Sequence, residues 1–263
     1  MTVGTDMEKT VFLCDDTLEG IYSAVYEAFL LKKEAEKKHI QFDGRESMEF
    51  FTEYIYVDTD KGKAERVAKG LQRRFGTTAY EQLMYVLCCD SDRRADVFYH
   101  IIDLGLSLKY PESVFSHLGN QWVMEGFEMK RRASREMHHL RGFLRFEELK
   151  NGILLAKLHP KSDCILFLAR HFADRLPGEN FIIYDKKREK CIVHPAFGKW
   201  YLHTGVKMDD FQNVEYSQVQ EYFELLFKEF CNTIAIKERK NEKLQQNMLP
   251  LHFRDCMVEF SKN

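Results

Sequence analysis

FLRFEELKNGILLAKLHP, residues 143–160, is where the texture of this chain changes. Asn151-Gly152 stands between two runs, FLRFEELK (143–150) and ILLAKLHP (153–160). Both turn residues tolerate the left-handed backbone of a tight hairpin, so the spacing predicts two antiparallel strands. In the first, Phe143, Arg145, Glu147 and Leu149 share one face, and Leu144, Phe146 and Glu148 share the other.

C-terminal to this hairpin, DCILFLARHFADRL (163–176) places Ile165, Leu168, Phe172 and Leu176 at helical spacing, and Pro177-Gly178 ends it. FIIYD (181–185) and KCIVH (190–194) form a second predicted hairpin around KKRE. A loop with Trp200 and His203, a helix from about Ser217 to Thr233 and a polar tail (234–263) follow. The order ββαββα predicts an α+β fold, an antiparallel sheet layered with helices rather than a doubly wound parallel sheet.

N-terminal to it, helical patterns dominate. TVFLCDD (10–16) reads as a short strand and a candidate for the same sheet. Thr17 is placed to cap a helix reaching about Lys38. QFDGRESMEFF suggests a turn with a short helix. Residues 60–76 form a basic amphipathic helix ending near Gly76. Thr78–Cys89, Asp92–Lys109 and Glu112–His138 complete the helical half. The expectation is one domain over 1–263, with a mainly helical part (17–138) and a ββαββα part (143–233).

The 263 residues are 44% hydrophobic, enough for a real core. The longest apolar runs, such as CILFLA (164–169), are too short to span a bilayer, and MTVGTDMEK lacks a secretory pattern. Seven scattered cysteines without a CxxC suit reduced thiols in a cytoplasm. The net charge is only −2, but it is segregated. Residues 1–60 hold 14 acidic and 6 basic side chains; residues 129–150 hold seven basic and three acidic. Residues 61–74 hold six basic and one acidic. Such islands are either solvated helix faces or places to meet phosphate.

No phosphate-binding loop, GxGxxG, HExxH or GxSxG occurs, and no cysteine set suits zinc or an iron–sulfur cluster. The chain is therefore expected to carry no cofactor and no motif-encoded metal site. Adjacent His138 and His139 point about 100° apart on a helix and make a poor ligand pair.

REMHHLRGFLRF (135–146) concentrates chemistry most densely. Read structurally, it is a helix end dressed with cations that complement the dipole, terminated at Gly142. Read functionally, Arg141 at the helix end and Arg145 at the start of the strand are expected to converge on one anion, with guanidinium forks suited to phosphate. His171 and Arg175, four apart on a helix, and Arg188 at the second hairpin are the further candidates. The structural alternatives there are a helix surface and an Asp185 turn bonding its own backbone. Tyr184 and Phe143 are candidate base-stacking rings, though buried aromatics are commoner.

Four blocks carry a resemblance: LCDDTLEGIYSAVYEAF (13–29), REMHHLRGFLRFEE (135–148), LARHFADRLPGENFIIYDKKRE (168–189) and ERKNEKLQQNMLPLHFR (238–254). In that order they resemble a bacterial DNA-metabolism family built on a domain of unknown function. Its members are typically encoded beside a radical S-adenosylmethionine protein of DNA modification or repair, and some relatives are fused to a uracil-DNA-glycosylase-like domain. Matching positions are Glu136, His138, Gly142, Phe143, Arg145, Phe146, His171, Phe172, Arg175, Asp185 and Arg188. The chain departs from the pattern at His139, where Arg is usual, and at Arg170, where Pro is usual.

The resemblance implies a cytoplasmic accessory protein of DNA repair or modification. Its expected partners are nucleic acid, with DNA foremost, and a radical S-adenosylmethionine protein, with no membrane. Arg135, His138, Arg141, Arg145, Arg175 and Arg188 are the expected phosphate contacts. The alternatives are an enzyme on a nucleotide or damaged base, with His138 or His171 as acid/base and Glu136 or Asp185 orienting it, and a protein-binding adaptor.

Overall fold

The computed structural model describes residues 9–45, 48–211, 215–234 and 241–257. The chain divides into two compact units, 1–134 and 135–263.

The first unit opens with β1 (Lys9–Cys14), whose Val11–Cys14 are buried. A strand this uniformly apolar needs cover on both faces, as in a parallel sheet. That is its setting: β2 (Lys38–Phe42) and β3 (Thr52–Tyr56) flank it, both parallel, in the order β2-β1-β3. β1 thus builds a sheet of its own unit instead of joining the C-terminal strands. β2 begins at Lys38, where the first expected helix was to end, and takes in the first two residues of the segment read as a turn with a short helix (41–51); β3 follows directly after that segment. Helix α1 (Leu18–Leu30) ends earlier than Lys38, and its start is capped as expected, Thr17 Oγ1 accepting from Gly20 N at 3.0 Å. Buried Lys38 closes the other end, its Nζ donating to the carbonyls of Ala28 (2.9 Å) and Leu31 (3.3 Å). Burial accordingly pushes its pKa down.

Helix α2 (Lys61–Cys88) kinks at Gly76, where φ is 68°. Only glycine takes that backbone cheaply. The two helices read on either side of Gly76 are thereby continuous in the chain but bent. Helix α3 (Arg94–Ser107) lies within the expected 92–109. The expected helix 112–138 is instead a 3₁₀ turn, Pro111–Ser116, and then α4 (Gln121–Phe143). Asn120 makes the break productive: its Oδ1 accepts from Trp122 N (2.9 Å) and Val123 N (3.3 Å), satisfying free N–H groups of the new helix. The core gathers Phe12, Tyr22, Ile40, Phe75, Leu83 and Phe98.

The division between units falls within α4. In the second unit, β4 (Glu147–Glu148), β5 (Leu154–Leu158), β6 (Phe181–Asp185), β7 (Lys190–His194) and β8 (Tyr201–Thr204) lie in sequence order in one sheet. The first hairpin forms where read, but α4 continues through Gly142 to Phe143, residues 144–146 are irregular, and β4 is only two residues long. Gly152 N donates to Leu149 O at 2.8 Å and Gly152 has φ 77°, which makes the turn a three-residue one closed by a left-handed glycine. The β6–β7 hairpin matches its predicted strands, Asp185 facing Lys190.

The α+β class and the helical N-terminal half hold. The expected all-antiparallel sheet does not hold throughout: β5 and β6 are parallel. Helix α5 (Ile165–Arg175) joins them, and a crossover of that kind returns the chain in the same direction. Trp200 and His203, read as a loop, lead into and sit on β8. Helix α6 (Gln218–Ile234) matches the last predicted helix. The tail read as polar contains α7 (Glu242–Met248) and a 3₁₀ turn (Leu251–Cys256) that buries Phe253. Among the described residues no helix is long and apolar enough to cross a membrane.

Candidate functional site

Among the described residues of the second unit, helices α4 and α5 both carry exposed cations. On α4, Arg135, His138 and Arg141 recur every three residues, and all three are exposed. On α5, His171 and Arg175 are one turn apart, with Arg175 exposed and His171 half-buried. Burial lowers the pKa of His171, and the positive charges of Arg141 and Arg175 lower it further, against the weaker pull of Asp174. Two guanidiniums from different helices therefore act on one imidazole. Among the described residues neither Arg141 nor Arg175 has an ion-pair partner.

The same helix borders a cleft of about 580 Å³ lined by Ala173, Asp174, Pro177, His194, Phe197 and Lys199, with Trp200 at its wall. Its outer lip is the β7–β8 loop. Phe197 there is 87% exposed and holds φ at 58°, an unusual backbone for an aromatic residue. Its N–H donates to Pro177 O at 2.6 Å, and Gly198 N donates to Pro195 O at 2.9 Å, so the loop is fixed by its own main chain. An exposed ring held in a sparsely populated conformation beside a lysine is an arrangement suited to stacking.

The remaining sequence candidates serve the fold. Arg145 Nη1 donates to Gly142 O at 2.9 Å and its guanidinium lies 5.7 Å from the centre of the Phe227 ring. It closes the end of α4, where free carbonyls gather, and is already engaged. Glu136 is buried, and its two carboxylate oxygens accept from Lys161 N (2.7 Å) and Ser162 N (2.8 Å). Asp185 is fully buried, its Oδ1 accepting from Lys187 N (2.9 Å) and Arg188 N (3.2 Å). Arg188 Nη1 pairs with Asp185 Oδ2 at 3.1 Å and also donates to Pro160 O at 3.3 Å. Glu136 and Arg188 thus brace the 160–163 loop, from its N–H and its carbonyl sides, and Asp185 holds Arg188 in place. His139 packs its ring on Phe253 and Phe143, at 5.2 and 5.5 Å between centres, and Tyr184 is buried, so neither Phe143 nor Tyr184 is a free stacking platform.

The first unit holds a cluster that the sequence reading did not single out. His39, on β2, places Nδ1 3.0 Å from Asp96 Oδ2, and Asp96 Oδ1 lies 3.5 Å from His100 Nε2. Ile40 N donates to Asp96 Oδ1 at 3.2 Å, and the indole of Trp122 stacks on His100 with centres 3.9 Å apart. Burial raises the Asp96 carboxyl, but the two imidazoles outweigh it and hold it at about 2. These are the residues placed to hold a metal among those described. Only the Asp96–His100 spacing, one helical turn, was visible along the chain; His39 joins from a distant strand.

The family described as Domain of unknown function DUF4130 matches residues 92–259, more than half of the chain. No curated protein matches it.

Proposed function

We propose that this chain, which belongs to the DUF4130 family, is an accessory nucleic-acid-binding protein of bacterial DNA repair or modification. In this reading it acts beside a radical S-adenosylmethionine protein, in the cytoplasm, and its own contribution is binding. The observation that carries the reading is the cationic patch of Arg141, His171 and Arg175. Its guanidiniums are exposed and without an ion-pair partner among the described residues, and their charge lowers the pKa of His171. Unpaired guanidiniums on neighbouring helices suit the oxygens of a phosphodiester backbone. Arg135 and His138 extend the patch along α4, and Phe197 and Lys199 offer a ring and a charge on the loop beyond α5.

The enzyme alternative is weaker on the same geometry. Two of its four candidates, Glu136 and Asp185, spend their oxygens on main-chain N–H groups. Arg145 and Arg188 leave the phosphate set for the same kind of reason.

The test is fluorescence anisotropy with labelled single- and double-stranded oligonucleotides over a salt series. Steep loss of affinity with salt supports the reading, because released counterions make phosphate binding salt-dependent. Flat dependence or no binding favours the adaptor. Co-purification with the radical S-adenosylmethionine protein, with and without damaged DNA, tests the partnership.

A further inference from the structure

We infer that His39, Asp96 and His100 form a binding site for a divalent cation of the zinc class, with an open coordination position facing a cleft in the first unit. The donor set is two imidazole nitrogens and one carboxylate, which zinc takes readily. One ligand atom from each residue lies within 4.8 Å of the others. A tetrahedral ion with bonds of about 2.0–2.1 Å needs ligand atoms about 3.3 Å apart. Taken to the one oxygen Asp96 Oδ1, the two histidine–carboxylate edges are 3.1 Å from His39 Nδ1 and 3.5 Å from His100 Nε2, which bracket that separation. The imidazole–imidazole edge stays within 4.8 Å, and His39 is the less buried of the two histidines.

A second observation separates this from a hydrogen-bonded cluster. His100 is only 5% exposed, and its Nε2 makes no hydrogen bond. A buried polar atom left unpaired is costly, and buried polar atoms are as a rule satisfied. Gln41 Oε1, on the same cleft wall as His39 and Asp96, is also buried without a partner. A metal ion would take the lone pair of the first, and a water on that ion would reach toward the second. The outer support is in place: Ile40 N–H orients the carboxylate and Trp122 fixes the His100 ring. The fourth position opens on the cleft lined by His39, Gln41, Asp96 and Trp122.

The experiment uses the full chain, stripped with chelator and titrated with Co²⁺ and then Zn²⁺. The sequence has two tryptophans, so Trp200→Phe leaves Trp122 as the sole tryptophan, read by excitation selective for indole. The expected result is one equivalent of Co²⁺ bound, with the intense visible bands of low-coordinate cobalt, quenching of Trp122 and displacement by Zn²⁺. His100→Ala and Asp96→Asn should weaken binding at least about a hundredfold. If either fails to fold, His39→Ala at the more exposed ligand should still weaken it at least about tenfold, with an unchanged circular dichroism spectrum. A spectrum of hydrated cobalt without quenching, or wild-type affinity in a folded His39→Ala, overturns the site.

Discussion

The guanidinium of Arg188 lies 3.1 Å from the carboxylate of Asp185, which has no solvent exposure at all. Burial raises the Asp185 pKa and Arg188 opposes it. Arg188→Ala should therefore cost about 3 kcal/mol at neutral pH, as expected when a buried charge loses its partner. The cost should shrink on acidification. A carboxyl whose folded pKa is raised contributes its stability fully below the unfolded value, near 3.8, and loses it as pH rises through the folded one. Urea unfolding at pH 7 and near pH 4 checks this; an equal deficit at both would contradict it.

Glu136→Gln should destabilise the second unit by about 1–3 kcal/mol. The amide keeps one acceptor but turns an NH₂ toward a main-chain N–H of Lys161 or Ser162. Oligonucleotide affinity of the folded variant should match wild type. A large selective loss of affinity would restore Glu136 as a functional residue.

Arg141→Ala and Arg175→Ala should each lower the salt dependence of oligonucleotide binding by about one phosphate contact, a slope change of roughly 0.7–0.9. Arg145→Ala should leave the slope alone and reduce thermal stability, since its guanidinium is spent on Gly142 and Phe227. The reverse pattern in the anisotropy series would shift the interface to the end of α4.

His171 should titrate below its usual 6.5 in the free protein, and Arg141→Ala should raise its pKa. A phosphodiester bound at the patch would supply the missing negative charge and raise it too. Binding would then take up a proton, so affinity should increase as pH falls from about 6.5. Imidazole NMR titrations with and without a short oligonucleotide read both shifts; an unchanged His171 on binding places the ligand elsewhere.

Phe197→Gly should leave stability unchanged or raise it by up to about 1 kcal/mol, because glycine takes φ 58° without a side-chain clash. The same change should weaken oligonucleotide binding by about 1–3 kcal/mol if the ring stacks on a base. Unchanged affinity would remove the loop from the interface.

Much of the architecture was legible because it is local. Thr17 as a cap, Gly76 as a break, Asn151-Gly152 and KKRE as turns, and the spacing of Ile165, Leu168 and Phe172 are decided within a few residues, where backbone preference and apolar period act. So was the presence of free cations on α4 and α5. What remained hidden depends on partners far away in sequence. Thr52–Tyr56 carries strand-forming Thr, Tyr and Ile, but its place and parallel register are set by pairing with the distant β1. Nothing in the second-unit strands announces that β5 and β6 run parallel until α5 carries the chain across.

The sorting of equal-looking residues was likewise a tertiary matter. Arg141, Arg145, Arg175 and Arg188 are the same side chain in one basic region, and composition treats them alike. Packing commits Arg145 to a helix end and Arg188 to a buried aspartate, and leaves Arg141 and Arg175 exposed, without an ion-pair partner among the described residues. His39 and His100, 61 positions apart, acquire a shared chemistry only when β2 and α3 bring Asp96 between them. Periodicity and turn chemistry are written in neighbours, so the sequence determined the elements. Charge neutralisation, burial and coordination are properties of spatial neighbours, and those the tertiary structure alone decided.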